Sequence, residues 1–252
     1  MRLLGDYHTH TLYSRHNHGK GTVLENAQIA RQKGLYEIAI TDHGFKHSRY
    51  GLKQKNIDFL RADIKKAKKE TGINILYGIE ANLIGADGTI DLPRDLESQM
   101  DIVLMGYHKM AYSKSIQDWW KLHILNSASQ YLHFSKKRIQ QNTDAYLRAL
   151  DKNNIDVITH LGYGVPVDPV QIASLAKQTN TYIELNGKRM FFTPEEMERL
   201  IMIKTKFLIN SDAHTPTRVG ECNLPLNFVI KHEIPKEAIY NLNQLPKFKA
   251  HK

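Results

Sequence analysis

LLGDYHTH (residues 3–10), VLENAQIARQKG (23–34) and EIAITDH (37–43) read together as one strand–helix–strand unit. The apolar runs Leu3 to Tyr7 and Glu37 to Thr41 are short, as strands are. Between them Leu24, Ala27, Ile29 and Ala30 fall largely on one helical face, and Gly34 supplies a stop at the C-cap. Further apolar runs follow at Ile73 to Ile79, Ile102 to Gly106, Asp156 to Thr159, Tyr182 to Leu185 and Phe207 to Asn210, separated by stretches of helical period. Strands that alternate with helices predict repeated βα units and a parallel sheet. Helix starts are written at Asp168-Pro169, Thr193-Pro194-Glu195-Glu196 and Ile234-Pro235-Lys236-Glu237.

With 252 residues, 41% of them hydrophobic and 24% charged, the chain suits a globular α/β barrel of one domain spanning 1–252. No linker, low-complexity tract or repeat divides it. Residues 113–153 are too long for one crossover helix and are expected to form a helical insertion on the C-terminal side of the sheet, with an amphipathic stretch at Ile139 to Leu150. A single cysteine, Cys222, excludes a disulfide scaffold and Cys-rich zinc modules, so a metal site must use histidine and carboxylates. No signal-like segment and no apolar run of membrane-spanning length is found, which predicts a cytoplasmic protein without a membrane partner. The formal charge of +9 is spread over runs such as Lys65-Lys66-Ala67-Lys68-Lys69, the pattern of solvated helix faces.

The chemistry lies where the strands end. His8 and His10 follow the first, Asp42-His43 the second, Glu80 the third, His108 the fourth, His160 the fifth, and Asp212 with His214 the seventh. In parallel barrels the C-terminal strand ends converge on one face. Residues i and i+2 of an extended segment point to the same side, so His8 with His10, and Asp212 with His214, can chelate as pairs. Burying so many polar groups without a metal would be costly, and a metal site is expected.

His8-Thr-His10-Thr, Ile40-Thr-Asp42-His43-Gly44, Gly78-Ile-Glu80-Ala-Asn82, Gly106-Tyr-His108, Thr159-His160-Leu-Gly162 and Ser211-Asp212-Ala-His214 resemble, in order, the motifs of the PHP (polymerase and histidinol phosphatase) family. The resemblance implies a distorted (β/α)7 barrel and, with His16 matching a further histidine of the phosphatase branch, a trinuclear centre. One ion would take His8, His10, Glu80 and Asp212; a second the other side of Glu80 with His108 and His160; a third His16, His43 and His214. His18 competes with His16 by proximity, and register favours His16. Zinc is the expected metal, with manganese or iron as alternatives. Leu161 stands where the branch more often has proline, which touches loop geometry only.

Three divalent ions against two ligand carboxylates leave a positive floor suited to a phosphoryl group. Metal lowers the pKa of bound water from about 15.7 to about 7, so hydroxide held at Glu80, Asp212, His8 and His10 is the expected nucleophile. The leading expectation is hydrolysis of a small phosphomonoester, histidinol phosphate being one candidate. The alternatives are a nuclease-type phosphodiesterase, disfavoured because no nucleic-acid module accompanies the barrel, and a non-catalytic metal-binding scaffold.

Lys188 and Arg189 after strand six, the strand without a ligand, and Arg218 are candidate contacts for substrate phosphate, weighed against solvated loop cations. Asp42 reads either as a carboxylate orienting an imidazole or as a turn cap. Trp119-Trp120 reads as a lid or stacking wall, or as packing within the insertion, with packing preferred. His47, His123, His133, His232 and His251 have no strand-end placement and are expected to be surface or structural.

Overall fold

The computed structural model describes residues 2–128 and 135–249; His133 and His251 lie outside them. Seven strands, β1 (Gly5–Thr9), β2 (Glu37–Ile40), β3 (Asn74–Asn82), β4 (Ile102–Gly106), β5 (Val157–Ile158), β6 (Tyr182–Asn186) and β7 (Phe207–Asn210), form one parallel sheet in chain order. The sheet curls into a nearly closed (β/α)7 barrel. Its seam is bridged at the top by Thr9 and Ala213, where His10 N donates to Ala213 O at 2.8 Å. Lower down, the Asn241 amide donates to Gly5 O (2.9 Å) and Ile209 O (2.6 Å) and accepts from Ile209 N (3.0 Å), so one side chain satisfies backbone groups that a closing strand would have paired.

Every second residue of a strand faces the lumen, and the lumen changes character with height. Tyr7, Ala39, Ile102, Leu104, Val157, Tyr182 and Leu208 form an apolar cluster, with Leu76, Tyr240 and Phe248 packed on it. One step further along the same alternation stand Thr159, Glu184 and Asn210, and two steps beyond Leu76 stands Glu80, all buried. The dry floor fixes the strands, and the polar layer is carried on that rigid base. Outward residues such as Ile38, Ile79, Met105, Ile183 and Ile209 join the larger core beneath the helices.

The expected helix starts hold at two positions for one reason, a side chain that satisfies free N–H groups. Asp168 caps Pro169–Gln178, and Thr193 with Glu196 forms a capping box on Pro194–Met202. At Pro235 only the 3-10 turn Lys236–Ala238 forms, because the chain is drawn onto the sheet edge, where Tyr240 N donates to Phe207 O at 2.9 Å. The Lys136–Lys152 helix buries Ala145, Tyr146, Ala149 and Leu150 in the core and packs beside Pro169–Gln178, so it is the ordinary β4-to-β5 crossover. The excess of this connection lies before it, in Ile116–Trp119, a π-helical turn Trp120–Ile124 and Leu125–Ala128. Among the described residues no helix is long and apolar enough to cross a membrane.

Candidate metal centre

Glu80, in the last turn of pleat of β3, is fully buried at the centre of the upper lumen. Around its carboxylate stand His160 Nε2 (2.8 Å), His43 Nδ1 (2.9 Å), His8 Nε2 (3.3 Å), His108 Nε2 (3.5 Å) and His10 Nε2 (3.7 Å). Asp212 Oδ1 lies 3.5 Å from His10 Nε2, 3.8 Å from His8 Nε2 and 3.3 Å from His214 Nδ1. Eight of the nine side chains singled out in the sequence as ligands thus converge on one cleft. His160 (φ 28°) and Asp212 (φ 51°) take left-handed backbone, uncommon for such residues and a conformation the surrounding structure must hold in place. Gly106 makes room, since a Cβ there would stand 2.4 Å from Thr159 Oγ1 and 2.7 Å from His160 Cε1.

His16 is the ninth, and it does not join them. It lies exposed at the surface, while His18 Nε2 stands 2.8 Å from His214 Nε2 and the His18 ring stacks on Tyr50 at 3.8 Å. His16 (φ 56°) and Asn17 (φ 59°) are successive left-handed residues that reverse the chain, so the motif spacing from His8 that favoured His16 leaves it at the surface and turns His18 inward.

Buried partners orient the imidazoles from behind. His8 Nδ1 donates to Glu184 Oε1 at 2.7 Å, and His108 Nδ1 donates to Asn82 Oδ1 at 2.8 Å, which turns each Nε2 toward Glu80. Asn82 is gripped by buried Asp91, whose carboxylate accepts from Asn82 N (2.7 Å), Asn82 Nδ2 (2.5 Å) and Lys46 N (2.8 Å). Asp42 accepts from the backbone and hydroxyl of both Thr11 and Ser14, and Ser14 Oγ lies 3.3 Å from His10 Nδ1, so Asp42 is both a turn cap and an indirect support of His10. Glu184 and Asp91 were absent from the sequence reading, and Asn82 entered it only as the end of the Glu80 motif, with no role. A signal existed for Glu184, a carboxylate inside the apolar run Tyr182 to Leu185 and in phase with the lumen; none marked Asp91.

Burial alone would raise the Glu80 carboxyl, but His108, His8, His160 and His43 hold it well below its usual range. Asp212 is likewise held low, against burial, by His8, His10, Lys188 and His214. Burial keeps His10 and His108 well below the ordinary histidine value and, with neighbouring cations and imidazoles, brings His18 to about 3 and His214 to about 4. Against burial, Glu80, Glu184 and Asp212 hold His8 high, and Glu80 holds His160 above its ordinary value, so these two imidazoles must give up a proton to ligate. Neutral imidazoles and ionised carboxylates are the forms that ligate metal.

The donor set fits such ions. His43 Nε2 is buried without a hydrogen bond, His43 Nδ1 and Glu80 Oε2 have each other at 2.9 Å but in poor hydrogen-bond alignment, and imidazole nitrogens face each other at 3.2 Å (His8, His10) and 2.8 Å (His18, His214). Ligating atoms of His8, His10 and Asp212, of His43, Glu80 and His108, and of His10, His43 and His214 lie within 4.8 Å of one another.

The cleft above them, about 300 Å³, is walled by Tyr50, Met110, Tyr163 and Phe191, with Lys109, Lys188 and Arg189 among its cations. Lys188 Nζ lies 3.0 Å from Asp212 Oδ1, and Arg189 rests 4.8 Å over the Tyr163 ring. Arg218 lines no part of this cleft; its guanidinium faces Glu221 at 3.8 Å. His47, expected to be surface or structural, is buried in the lining and stacked on His43 at 4.9 Å. His123 is structural, bonded to the Tyr107 hydroxyl at 2.9 Å, and His232 ends the Asn223–Lys231 helix. Trp119 and Trp120 are about half exposed rather than packed within an insertion core.

Comparison with known proteins bears on this geometry. A family model for the PHP domain matches residues 6–192. A probable phosphatase of Caldanaerobacter subterraneus subsp. tengcongensis is 29% identical over 255 residues, covering 96% of this chain and 88% of that protein. A probable phosphatase of Shewanella sediminis is 28% identical, covering 96% and 90%. The solved histidinol phosphate phosphatase of Lactococcus lactis, in complex with zinc, L-histidinol and phosphate, has a TM-score of 0.62 at 17% identity and covers 100% of this chain and 99% of its own. A putative histidinol phosphatase of Listeria monocytogenes scores 0.60 at 16% identity, covering 86% and 97%. With well over half of the chain matched by the family model and the barrel shared along its length, the protein belongs to the PHP domain family.

Proposed function

We propose that the enzyme hydrolyses a small phosphomonoester at a centre of three divalent ions, zinc foremost. The observation that carries this reading is the ring of donors around Glu80 at the base of a cleft with cations in its walls. His8, His10, Glu80 and Asp212 would hold one ion, Glu80 with His108 and His160 a second, and His18, His43 and His214 a third, so that His18 takes the place expected of His16. Bound divalent ions polarise phosphoryl oxygens and activate water at neutral pH. Asp212 and Glu80 stay ionised to hold that charge, while Lys188 and Arg189 orient the phosphate from the wall. A cleft of about 300 Å³ is of small-molecule size, which favours a monoester over an oligonucleotide. The zinc and phosphate of the Lactococcus enzyme agree with this chemistry, and histidinol phosphate is a candidate substrate.

A turnover panel of phosphomonoesters, phosphodiesters and oligonucleotides, run on protein of measured metal content, tests the proposal. The expected result is monoester turnover with more than two ions per chain, lost on chelation and restored by zinc or manganese. Dominant oligonucleotide cleavage would establish the nuclease reading. Full metal occupancy without turnover would leave a scaffold.

A further inference from the structure

Beside the reaction cleft lies a second one of about 370 Å³, lined by Ser48, Lys109, Met110, Tyr112, Ile116 and Trp119 among others. The two share Lys109 and Met110, the residues that follow the donor His108, so they form one continuous surface. Its walls are preformed, because Ser48 N donates to Met110 O (2.9 Å), Tyr112 N to Lys46 O (2.8 Å) and Lys114 N to Ile84 O (2.9 Å).

Beside Ser48, Ser113 and Ser115, four side chains on these walls are large, apolar and exposed. Ile116 is 85% exposed, Tyr112 65%, Trp119 46% and Met110 45%. An isolated exposed apolar residue means little, but several gathered around one concavity mark a contact surface. At the join stands Lys109, which forms no salt bridge among the described residues.

We propose that this second cleft receives the alcohol portion of the substrate, and that this portion is aromatic or otherwise apolar. The inference rests on the phosphomonoester reading and adds a substrate class to it. With the phosphoryl group at the donor cluster, the ester side of the molecule extends past Lys109 onto Met110, Tyr112, Ile116 and Trp119. An aromatic ring suits these partners through stacking on Trp119 and contact with the Met110 sulfur. An alcohol bearing an ammonium group suits them poorly, since Lys109, Lys188 and Arg189 would repel it while the apolar wall offers no counter-charge.

The test compares kcat/KM for naphthyl phosphate, glycerol phosphate and histidinol phosphate in the wild type and in Trp119→Ala and Ile116→Ser. Both substitutions are of exposed side chains outside the core, so folding is expected to survive. In the wild type naphthyl phosphate should be preferred to both other esters. Each variant should reduce the ratio of naphthyl to glycerol phosphate kcat/KM, by about tenfold for Trp119→Ala, mainly through KM. A ratio unchanged in both variants, or a wild type that favours histidinol phosphate, overturns the proposal while leaving the phosphomonoester reading intact. A concentration-dependent dimer abolished by Ile116→Ser would assign the surface to a second copy and overturn it equally. If no monoester is turned over, both readings fall together.

Discussion

Nε2 of His18 stands 2.8 Å from Nε2 of His214, across 196 residues of chain. Two imidazole nitrogens so close need a proton or a cation between them, and burial, with neighbouring cations and imidazoles, lowers His18 to about 3 and His214 to about 4. Neutral rings can share one N–H or ligate a metal ion together, and the second reading makes a prediction. His18→Ala should lose about one metal equivalent per chain and reduce kcat/KM by at least the order of 100-fold, since even partners behind ligands are worth 10–100-fold. His16→Ala, at an exposed position, should stay within about twofold of the wild type. Metal analysis and steady-state kinetics of the two variants decide the assignment, and the opposite ranking would return His16 to the centre.

Glu184 should matter almost as much as a ligand while touching no ion. Its carboxylate holds His8 Nδ1 at 2.7 Å and also accepts from His160 N at 2.8 Å, so it aims two donors at once. Glu184→Gln retains the shape and removes the charge. Metal affinity, measured by chelator competition, should fall by about 10–100-fold. Affinity equal to that of the wild type would reduce Glu184 to a packing role.

Asp91 acts at one further remove. Asp91→Ala leaves Asn82 N, Asn82 Nδ2 and Lys46 N without their acceptor, and a buried donor left unpaired costs about 1–3 kcal/mol. Urea denaturation of the metal-free protein should show that loss. A released Asn82 would also free His108, so the variant should bind fewer ions per chain at limiting zinc. Reduced stability with undiminished zinc binding would separate the two effects and remove Asp91 from the support of His108.

Lys188 and Arg218 should behave differently although both were candidates for the phosphate. Lys188 lies in the cleft against Asp212, whereas Arg218 faces Glu221 outside its lining. Lys188→Ala should raise KM by about tenfold and weaken competitive inhibition by inorganic phosphate to a similar degree, the scale of one charge-assisted hydrogen bond. Arg218→Ala should change neither by more than about twofold. Equal effects from both would mean that the phosphate is held elsewhere.

The sequence by itself determined the strand series and the face on which the chemistry gathers. Apolar runs of period two and helical stretches of period 3.6 are local properties, and a parallel βα series must bring its strand ends to one side, so His8, His10, His43, Glu80, His108, His160, Asp212 and His214 could be placed together before any fold was seen. Tertiary structure decided what depends on backbone reversal and on contacts across the chain. Two left-handed residues turn the chain so that His18, and not His16, faces His214. Glu184 meets His8 across 176 residues, and Asn82 joins Asp91 to His108, contacts that no spacing rule encodes because they exist only once the barrel has closed. The 113–153 segment divides for the same reason: the apolar face of Lys136–Lys152 finds the barrel wall and becomes a crossover helix, while Ile116 and Trp119, on a segment that reaches no such wall, stay exposed beside the cleft.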